Sequence, residues 1–207
     1  AVFFMSAYKD VFVNLNGFDG KSFRPCFCED DDFLIRAKLN GCTLKTCESA
    51  IVYHFVSQTS RFSEDMKDNK QNIELASNRN FVRKWGLPIM TFNEIKYWLD
   101  DNFSYNRFTM GIKTNSADLL FLYEPFFDKI DIGFVPTDYI KMEQNNSTYD
   151  LASKFEDFDN VDVVISDLNQ LTTDDVQLLF SLRLSLPQYT PGEYQVGNLK
   201  ITIKSKL

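Results

Sequence analysis

The chain has 207 residues, of which 44% are hydrophobic, 15% aromatic and 25% charged, a composition typical of a folded globular protein. No apolar run approaches the roughly 20 residues that a membrane-spanning helix requires, and no secretory signal pattern is present, so neither feature is predicted. The net charge is −7, and the excess acid lies after residue 100, where 9 basic residues face 16 acidic ones. That balance argues against nucleic-acid binding by the second half and against polybasic membrane docking.

The sequence opens directly on an apolar stretch, residues 1–5, without an initiator methionine. We therefore expect a fragment that begins inside a folded element, and processing of a methionine before Ala1 is the alternative.

The four cysteines fall within 22 residues, in the pattern C-x-C-x13-C-x4-C. Structural zinc sites favour C-x2-4-C pairs, whose turn brings both thiolates onto one ion, so the spacing favours reduced, mostly buried thiols over zinc. Reduced thiols indicate a reducing compartment, and we expect a cytoplasmic protein.

Hydrophobic spacing and turn residues predict the elements of the first hundred residues. Asn16-Gly17, Gly41 and Gly86 each follow a helical pattern and are typical of helix ends. Between residues 55 and 70 the polar composition predicts a mobile loop. The remaining predicted elements are a buried strand over 3–8, helices over 9–15, 30–40, 71–85 and 91–99, and a strand over 42–54 that finishes at His54.

Residues 101–207 alternate between strand and helix patterns, which predicts a small acidic α/β domain separate from a first domain over residues 1–100. Asn115 or Ser116 is the expected N-cap of the first helix in this half. The predicted elements are strands over 108–114, 130–135 and 161–166, helices over 116–127, 148–158 and 172–185, and a hairpin over 193–204.

Four consecutive carboxylates, residues 29–32, precede the helix predicted over 30–40. Attraction to the positive end of the helix dipole explains one or two of them. Because four adjacent like charges repel one another, the run also suggests a general base with supporting acids at the mouth of a site. His54, the single histidine, lies where a strand is predicted to meet the loop, a common place for ligand-binding groups.

Taken together, the motifs resemble glycosyltransferase family 2, in which GGFD, ED-x-D-hydrophobic-x-x-R, G, A-x-V-x-H and KWG follow one another. The resemblance covers residues 3–88 and implies the C-terminal half of a GT-A catalytic domain. The segments that carry it are Asn16-Gly17-Phe18-Asp19, residues 28–36, Asn40-Gly41-Cys42, residues 50–55 and Lys84-Trp85-Gly86.

The resemblance implies residue roles in an inverting, nucleotide-sugar-dependent transfer. Asp30 matches the general base that takes the proton of the acceptor hydroxyl, and Glu29 and Asp32 would support it. The acceptor would also contact Asp19 and Asp31. His54 matches a ligand of the divalent cation, Mn²⁺ or Mg²⁺, that neutralises the leaving diphosphate. The loop that would fold over the donor contains Ser57, Thr59, Ser60 and Arg61, with Arg61 as a diphosphate contact.

The family's nucleotide-binding half and its D-x-D metal motif do not appear upstream of Glu29. We therefore expect a fragment that does not transfer sugar alone, whose partners are a nucleotide sugar and a glycan acceptor. An unpaired edge of a half sheet would favour a homo-oligomer. The alternative is a non-catalytic carbohydrate-binding or protein-interaction module on a truncated GT-A scaffold.

Overall fold

The computed structural model describes residues 5–23, 27–47, 49–53, 69–86 and 107–207. The chain divides into two compact units. Within the described residues, no helix is both long enough and apolar enough to cross a membrane. The first unit consists of Ala1–Phe81 with Ile89–Tyr105, and the second of Val82–Pro88 with Asn106–Leu207.

The residues described before position 87 form three helices, and the predictions for these helices are confirmed. Helix α1 spans Lys9–Asn14 and α2 spans Glu29–Leu39. Helix α3 spans Lys70–Trp85, and its residues from Val82 onward belong to the second unit. Left-handed residues follow each helix, as the turn signals predicted: Asn16 and Gly17 after α1, Gly41 after α2 and Gly86 after α3.

The strand predictions for the first unit are wrong wherever the structure describes them. Residues 5–8, 42–47 and 49–53 have no regular secondary structure. Tyr8 and Tyr53 expose 86% and 87% of their surface. β-Branched and aromatic residues form a strand only beside a partner strand, and the described residues of this unit provide none. The predicted helix over 91–99 and the loop from 55 to 68 lie outside the described residues.

The second unit is an α/β structure with a mixed five-stranded sheet, and the prediction of an α/β fold is confirmed at this level. The strand order is β2-β1-β3-β5-β4. Strand β1 is parallel to both β2 and β3, whereas β5 is antiparallel to β3 and β4. The strands are β1 Met110–Lys113, β2 Lys129–Asp131, β3 Val163–Asp167, β4 Gly192–Val196 and β5 Leu199–Ile203.

Three helices connect the strands: α4 Leu120–Tyr123, α5 Thr137–Gln144 and α6 Thr173–Ser185. The helix predicted over 116–127 is instead α4 between two 3-10 turns, and the second turn contains Pro125, which has no N–H for a helical hydrogen bond. Ser116 precedes the first turn, but its side chain forms no capping bond there.

Helix α5 was not predicted, and the helix predicted over 148–158 is only a 3-10 turn, Ala152–Phe155. The side chain of Gln144, at the end of α5, explains the difference. Its amide donates to the carbonyls of Ser147 and Tyr149, and its oxygen accepts from the Leu151 amide at 3.1 Å. These bonds fold residues 147–151 back onto α5 and use backbone groups that a helix would need.

The core of the second unit lies on one face of the sheet. Alternate strand residues such as Ile112, Ile165 and Ile201 are at most 1% exposed and pack with apolar residues of α4 and α6. Thr172 caps α6 by accepting from the Asp175 amide, while the Asp175 carboxylate accepts from the Thr172 amide, so this predicted helix is confirmed with a full capping box.

Candidate functional site

The acidic run 29–32 lies in the first turn of α2, where the positive end of the helix dipole favours carboxylates. Cys28 precedes the helix in a left-handed conformation with φ 70°. Asp32 is fully buried, whereas Glu29, Asp30 and Asp31 are half-buried. The structure therefore separates Asp32, whose carboxylate is fully buried, from three half-buried residues, of which Glu29 also has one buried carboxylate oxygen.

Asp32 forms a buried ion pair with Arg36, one helical turn later, with 2.8 Å between the Arg36 Nε and an Asp32 oxygen. The other nitrogens of Arg36 donate to the carbonyl oxygens of Leu15 and Gly17, the latter at 2.7 Å. Asp32 fixes the guanidinium, and the guanidinium holds the turn after α1. These contacts give Asp32 a positioning role, one step removed from any acceptor.

Aromatic packing joins the same two segments. The rings of Phe12, Phe18 and Phe33 pack on one another with centroids 5.3–5.6 Å apart. Gly17 fits beneath this cluster because a Cβ at that position would lie 3.0 Å from the Phe12 ring. The motif segments around Gly17 and around residues 29–36 are therefore one packed structure.

The carboxylates of residues 29–31 raise the pKa values of neighbouring groups. Burial raises the pKa of Asp31, and the adjacent charges of Asp30 and Glu29 raise it further. Burial also raises the pKa of the Cys28 thiol, with the charges of Asp31, Asp30 and Glu29 adding to the effect. The Cys28 thiol donates to the Asn78 side-chain oxygen of α3 at 3.3 Å, which anchors the start of the acidic run. A protonated thiol is the form that makes this bond.

Asp19 lies in a tight turn of its own. Its carboxylate accepts from the amides of Lys21 and Ser22 at 3.2 and 3.1 Å. The Ser22 carbonyl in turn accepts from the side chain of Asn80 at 3.0 Å, and Phe23 packs on Phe81. Asp19 therefore shapes the segment that leads from the turn after α1 toward the contacts with α3.

The other residues expected at the site, His54, Ser57, Thr59, Ser60 and Arg61, lie outside the described residues. Within the described ranges, no three His, Cys, Asp or Glu side chains converge so that they could hold a metal ion. The described carboxylates thus do not assemble a cation site by themselves. The expectation of Mn²⁺ or Mg²⁺ depends on His54.

A buried charge network in the second unit was missed by the sequence analysis. Glu124 is fully buried and accepts from Arg83 at 2.6 and 3.1 Å, from Lys154 at 2.6 Å and from the Tyr139 hydroxyl at 2.9 Å. Arg83 also pairs with Glu143. Burial lowers the pKa of Lys154. Burial acts in the same direction on Arg83, but the hydrogen bonds to Glu124 and Glu143 and the charges of both carboxylates together outweigh burial and raise its pKa overall.

Two positive and two negative side chains balance in this network and bond chiefly to one another, so it is a structural element of the second unit. The signal in the sequence was a single carboxylate, Glu124, inside the otherwise apolar run 119–127. Its partners lie 41 residues before and 30 residues after it, and no local spacing connects them.

The carboxyl ends of the parallel strands β1, β2 and β3 lie at the same edge of the sheet, and α/β sheets commonly bind ligands at this edge. The chain leaves β1 for β2 on one side and leaves β3 for β4, beyond β5, on the other side, so the gap between the ends of β1 and β3 is the expected position. Here Thr114 donates to Asp167 at 3.0 Å, and the Ser116 hydroxyl accepts from the Leu171 amide at 2.8 Å. These hydrogen bonds link the segment that follows β1 directly to the end of β3 and to the segment that follows it.

Comparison with known proteins finds no match to this chain among protein-family models, curated proteins or solved structures.

Proposed function

We propose that the first unit provides the acceptor side of an inverting, nucleotide-sugar-dependent glycosyltransferase with a GT-A fold, acting on a hydroxyl of a glycan or polysaccharide. The proposal starts from the resemblance of residues 3–88 to glycosyltransferase family 2. The proposed partners are a nucleotide sugar and a glycan acceptor.

The bond network of Arg36 is the observation that carries the proposal. Arg36 pairs with Asp32 and donates to the carbonyls of Leu15 and Gly17, so it joins the segment resembling GGFD to the segment resembling ED-x-D. Two motifs that are separate in the sequence, one in the turn after α1 and one on α2, are thus joined by the hydrogen bonds of one side chain. This supports the resemblance, because the shared arginine of the motif has a physical reason to be there.

In the proposed mechanism Asp30 is the base. It is half-buried in the first turn of α2, and its carboxylate accepts from the Asp31 amide at 3.0 Å. That bond orients the carboxylate in the first turn of the helix. The proton of the acceptor hydroxyl would pass to Asp30 as the hydroxyl oxygen attacks the anomeric carbon and the bond to the nucleotide diphosphate breaks. Glu29, Asp31 and Asp19 would contact the acceptor.

The donor side of the proposal involves residues outside the described ranges. His54 would hold a divalent cation, Mn²⁺ or Mg²⁺, which supplies charge to the departing diphosphate. Arg61, with Ser60 and Thr59, would contact the diphosphate. Cys28, Cys42 and Cys47 are free thiols, which supports placing the reaction in a reducing compartment, the cytoplasm.

Because we expect this chain not to transfer sugar alone, the experiment joins it to a nucleotide-binding half of a GT-A domain. Transfer and binding are then assayed with a panel of nucleotide sugars, Mn²⁺ and glycan acceptors, comparing the wild-type chain with Asp30→Asn and Asp10→Asn. Asp10 is the matched control because it is an exposed carboxylate in the first turn of α1. We expect Asp30→Asn to reduce transfer about 10²- to 10⁴-fold, as loss of a general base does. Asp10→Asn should change nothing.

Nucleotide binding provides a second test. Calorimetric titration with UDP or GDP should show heat that requires Mn²⁺, that His54→Ala removes and that Asp30→Asn leaves intact. If transfer is equal in Asp30→Asn and the wild type, Asp30 is not the base. If the wild-type chain joined to the nucleotide-binding half neither transfers sugar nor binds nucleotide, but binds a glycan, the non-catalytic carbohydrate-binding module is the correct function.

A further inference from the structure

Strand β4, Gly192–Val196, is the last strand of the sheet in the second unit, and among the described residues only β5 pairs with it. The opposite edge strand, β2, is covered differently. The 3-10 turn Ala152–Phe155 packs beside β2, and the Lys129 ammonium donates to the carbonyls of Ser153 and Glu156. Strand β4 has no such cover among the described residues, which leaves one extended edge of the sheet available.

The hydrogen bonds of the neighbouring strands show which groups of β4 point outward. Leu168 donates to the Asn198 carbonyl, and Lys204 donates to the Asp162 carbonyl, so the even-numbered residues of β5 bond to β3. The odd-numbered residues of β5 therefore bond to β4. They face Gly192, Tyr194 and Val196. The amides and carbonyls of Glu193 and Gln195 consequently point away from the sheet.

These outward groups are complementary to a second copy of the same strand. If two β4 strands run antiparallel with Tyr194 facing its counterpart, Glu193 lies opposite Gln195 of the other copy. Both residues have outward amides and carbonyls, so the two strands exchange four main-chain hydrogen bonds. The same register places a carboxylate opposite a neutral amide on both sides of the axis, without like charges directly opposite.

We propose that this chain forms a symmetric dimer through antiparallel pairing of β4 with β4 of a second copy, giving one continuous ten-stranded sheet. A twofold axis would pass beside Tyr194. The half-buried Tyr194 ring already packs against Tyr189 at 5.1 Å, so a second tyrosine across the axis extends an existing aromatic contact. An isologous contact of this kind closes on itself and does not propagate into fibres.

A second copy fits this edge better than an unrelated extended peptide. The residues whose main-chain groups point outward, Glu193 and Gln195, have polar side chains, and Glu193 is 65% exposed and paired with Lys200 at 2.9 Å. These two side chains offer no apolar contact that would select the side chains of a foreign peptide. The strand is followed by the tight turn at Gly197, where φ is 58°, and this turn fixes its register against β5. Self-pairing needs only the backbone pattern that β4 already has.

The experiment compares Gln195→Lys and Gln195→Glu in the full chain by sedimentation velocity over a concentration series. Gln195 is exposed, and its side chain donates only locally, to the nearby Gly197 carbonyl, so both variants should fold. In the dimer, a lysine at this position would face Glu193 of the other copy, whereas a glutamate there would face a like charge. We expect the first change to tighten the dimer and the second to weaken it, each about tenfold in dissociation constant.

Gln170→Lys and Gln170→Glu are the controls, since Gln170 is also exposed in the second unit and the change in net charge is the same. They should leave the dissociation constant unchanged. A wild type that stays monomeric at all concentrations overturns the proposal. A dimer insensitive to both Gln195 variants, or one that shifts equally with the Gln170 variants, overturns it as well. Thermal unfolding of each variant checks that the fold is retained.

Discussion

Among the described residues, each unit has one carboxylate side chain with no solvent exposure, and these two carboxylates are held in different ways. Asp32 and Glu124 are both 0% exposed. Asp32 is paired with an arginine one helical turn away whose side chain is 18% exposed. Glu124 is paired with Arg83 and Lys154, which come from distant parts of the chain and are themselves buried.

The difference shows how a buried charge depends on its surroundings. Arg36 keeps contact with solvent and directs its other donors to two backbone carbonyls, so loss of Asp32 leaves a cation that water can still reach. Arg83 and Lys154 have far less access to water. Without the Glu124 carboxylate, Arg83 would still donate to Glu143, and Lys154 would still donate to the main-chain carbonyl of residue 124. Breaking a buried ion pair costs more free energy of unfolding when the partner that remains has less access to water.

Glu124→Gln is expected to have the largest effect. It should lower the free energy of unfolding of the second unit by about 3–5 kcal/mol, because it leaves buried cations without their main counter-charge. Urea denaturation measures the change. Glu156→Gln, at an exposed position of the same unit, should stay within about 0.5 kcal/mol of the wild type. Equal losses in both variants would contradict a special role for the network.

Asp32→Asn should cost less, about 2–3 kcal/mol, because Arg36 is partly solvated and keeps its bonds to Leu15 and Gly17. Hydrogen exchange adds a local measurement. The Gly17 amide, which donates to the Phe12 carbonyl at 2.8 Å, should exchange faster once the guanidinium is no longer fixed. Asp10→Asn is the control. A loss as large as that of Glu124→Gln would remove the distinction between the two buried carboxylates.

Gly86→Ala tests how closely the end of α3 packs in the second unit. Gly86 has a φ of +67°, and a Cβ at this position would clash with the buried Arg183 guanidinium. Gly133 has a φ of +80° with nothing within 4 Å, so Gly133→Ala isolates the backbone strain. We expect about 1 kcal/mol of destabilisation for Gly133→Ala and about 2 kcal/mol more for Gly86→Ala. Similar melting temperatures for both would show that Arg183 moves aside freely.

Thr172→Ala should have the smallest effect, about 1 kcal/mol, through loss of the capping box of α6. Thr173→Ala removes a neighbouring exposed threonine outside the box and should be neutral. Thermal unfolding of the two variants measures the difference. Equal stability would mean that water replaces the cap at no cost.

Asp32 is paired with a residue close to it in the sequence, whereas Glu124 is paired with distant residues. The same difference between local and distant contacts explains how much of the fold could be predicted from sequence. Helix α2, its acidic first turn and the end at Gly41 were predicted because each signal lies within a few residues of the feature it specifies. The capping box of α6 and the hairpin of β4 and β5 are equally local. Of the candidate site, the position of Asp30 at the start of a helix was predictable, but the contacts of Arg36 with Leu15 and Gly17 were not.

Features that depend on distant partners could not be predicted. Residues 49–53 have a strand-like composition, but the first unit has no neighbouring strand for them among its described residues. Gln144 terminates α5 through bonds to residues 147–151 that compete with the predicted helix there. The partners of Glu124 are fixed by the packing of the whole second unit, which no local pattern encodes.

The assignment of Val82–Pro88 to the second unit has a consequence for genetic exchange. If a related gene donated or received this unit by recombination, a crossover after residue 100 would separate Arg83 from Glu124 and Gly86 from Arg183. The product would fold poorly in any host that did not encode matching residues. Exchange that keeps these pairs together therefore requires a crossover upstream of Val82, so the segment inherited as one piece begins well before the first strand of its sheet.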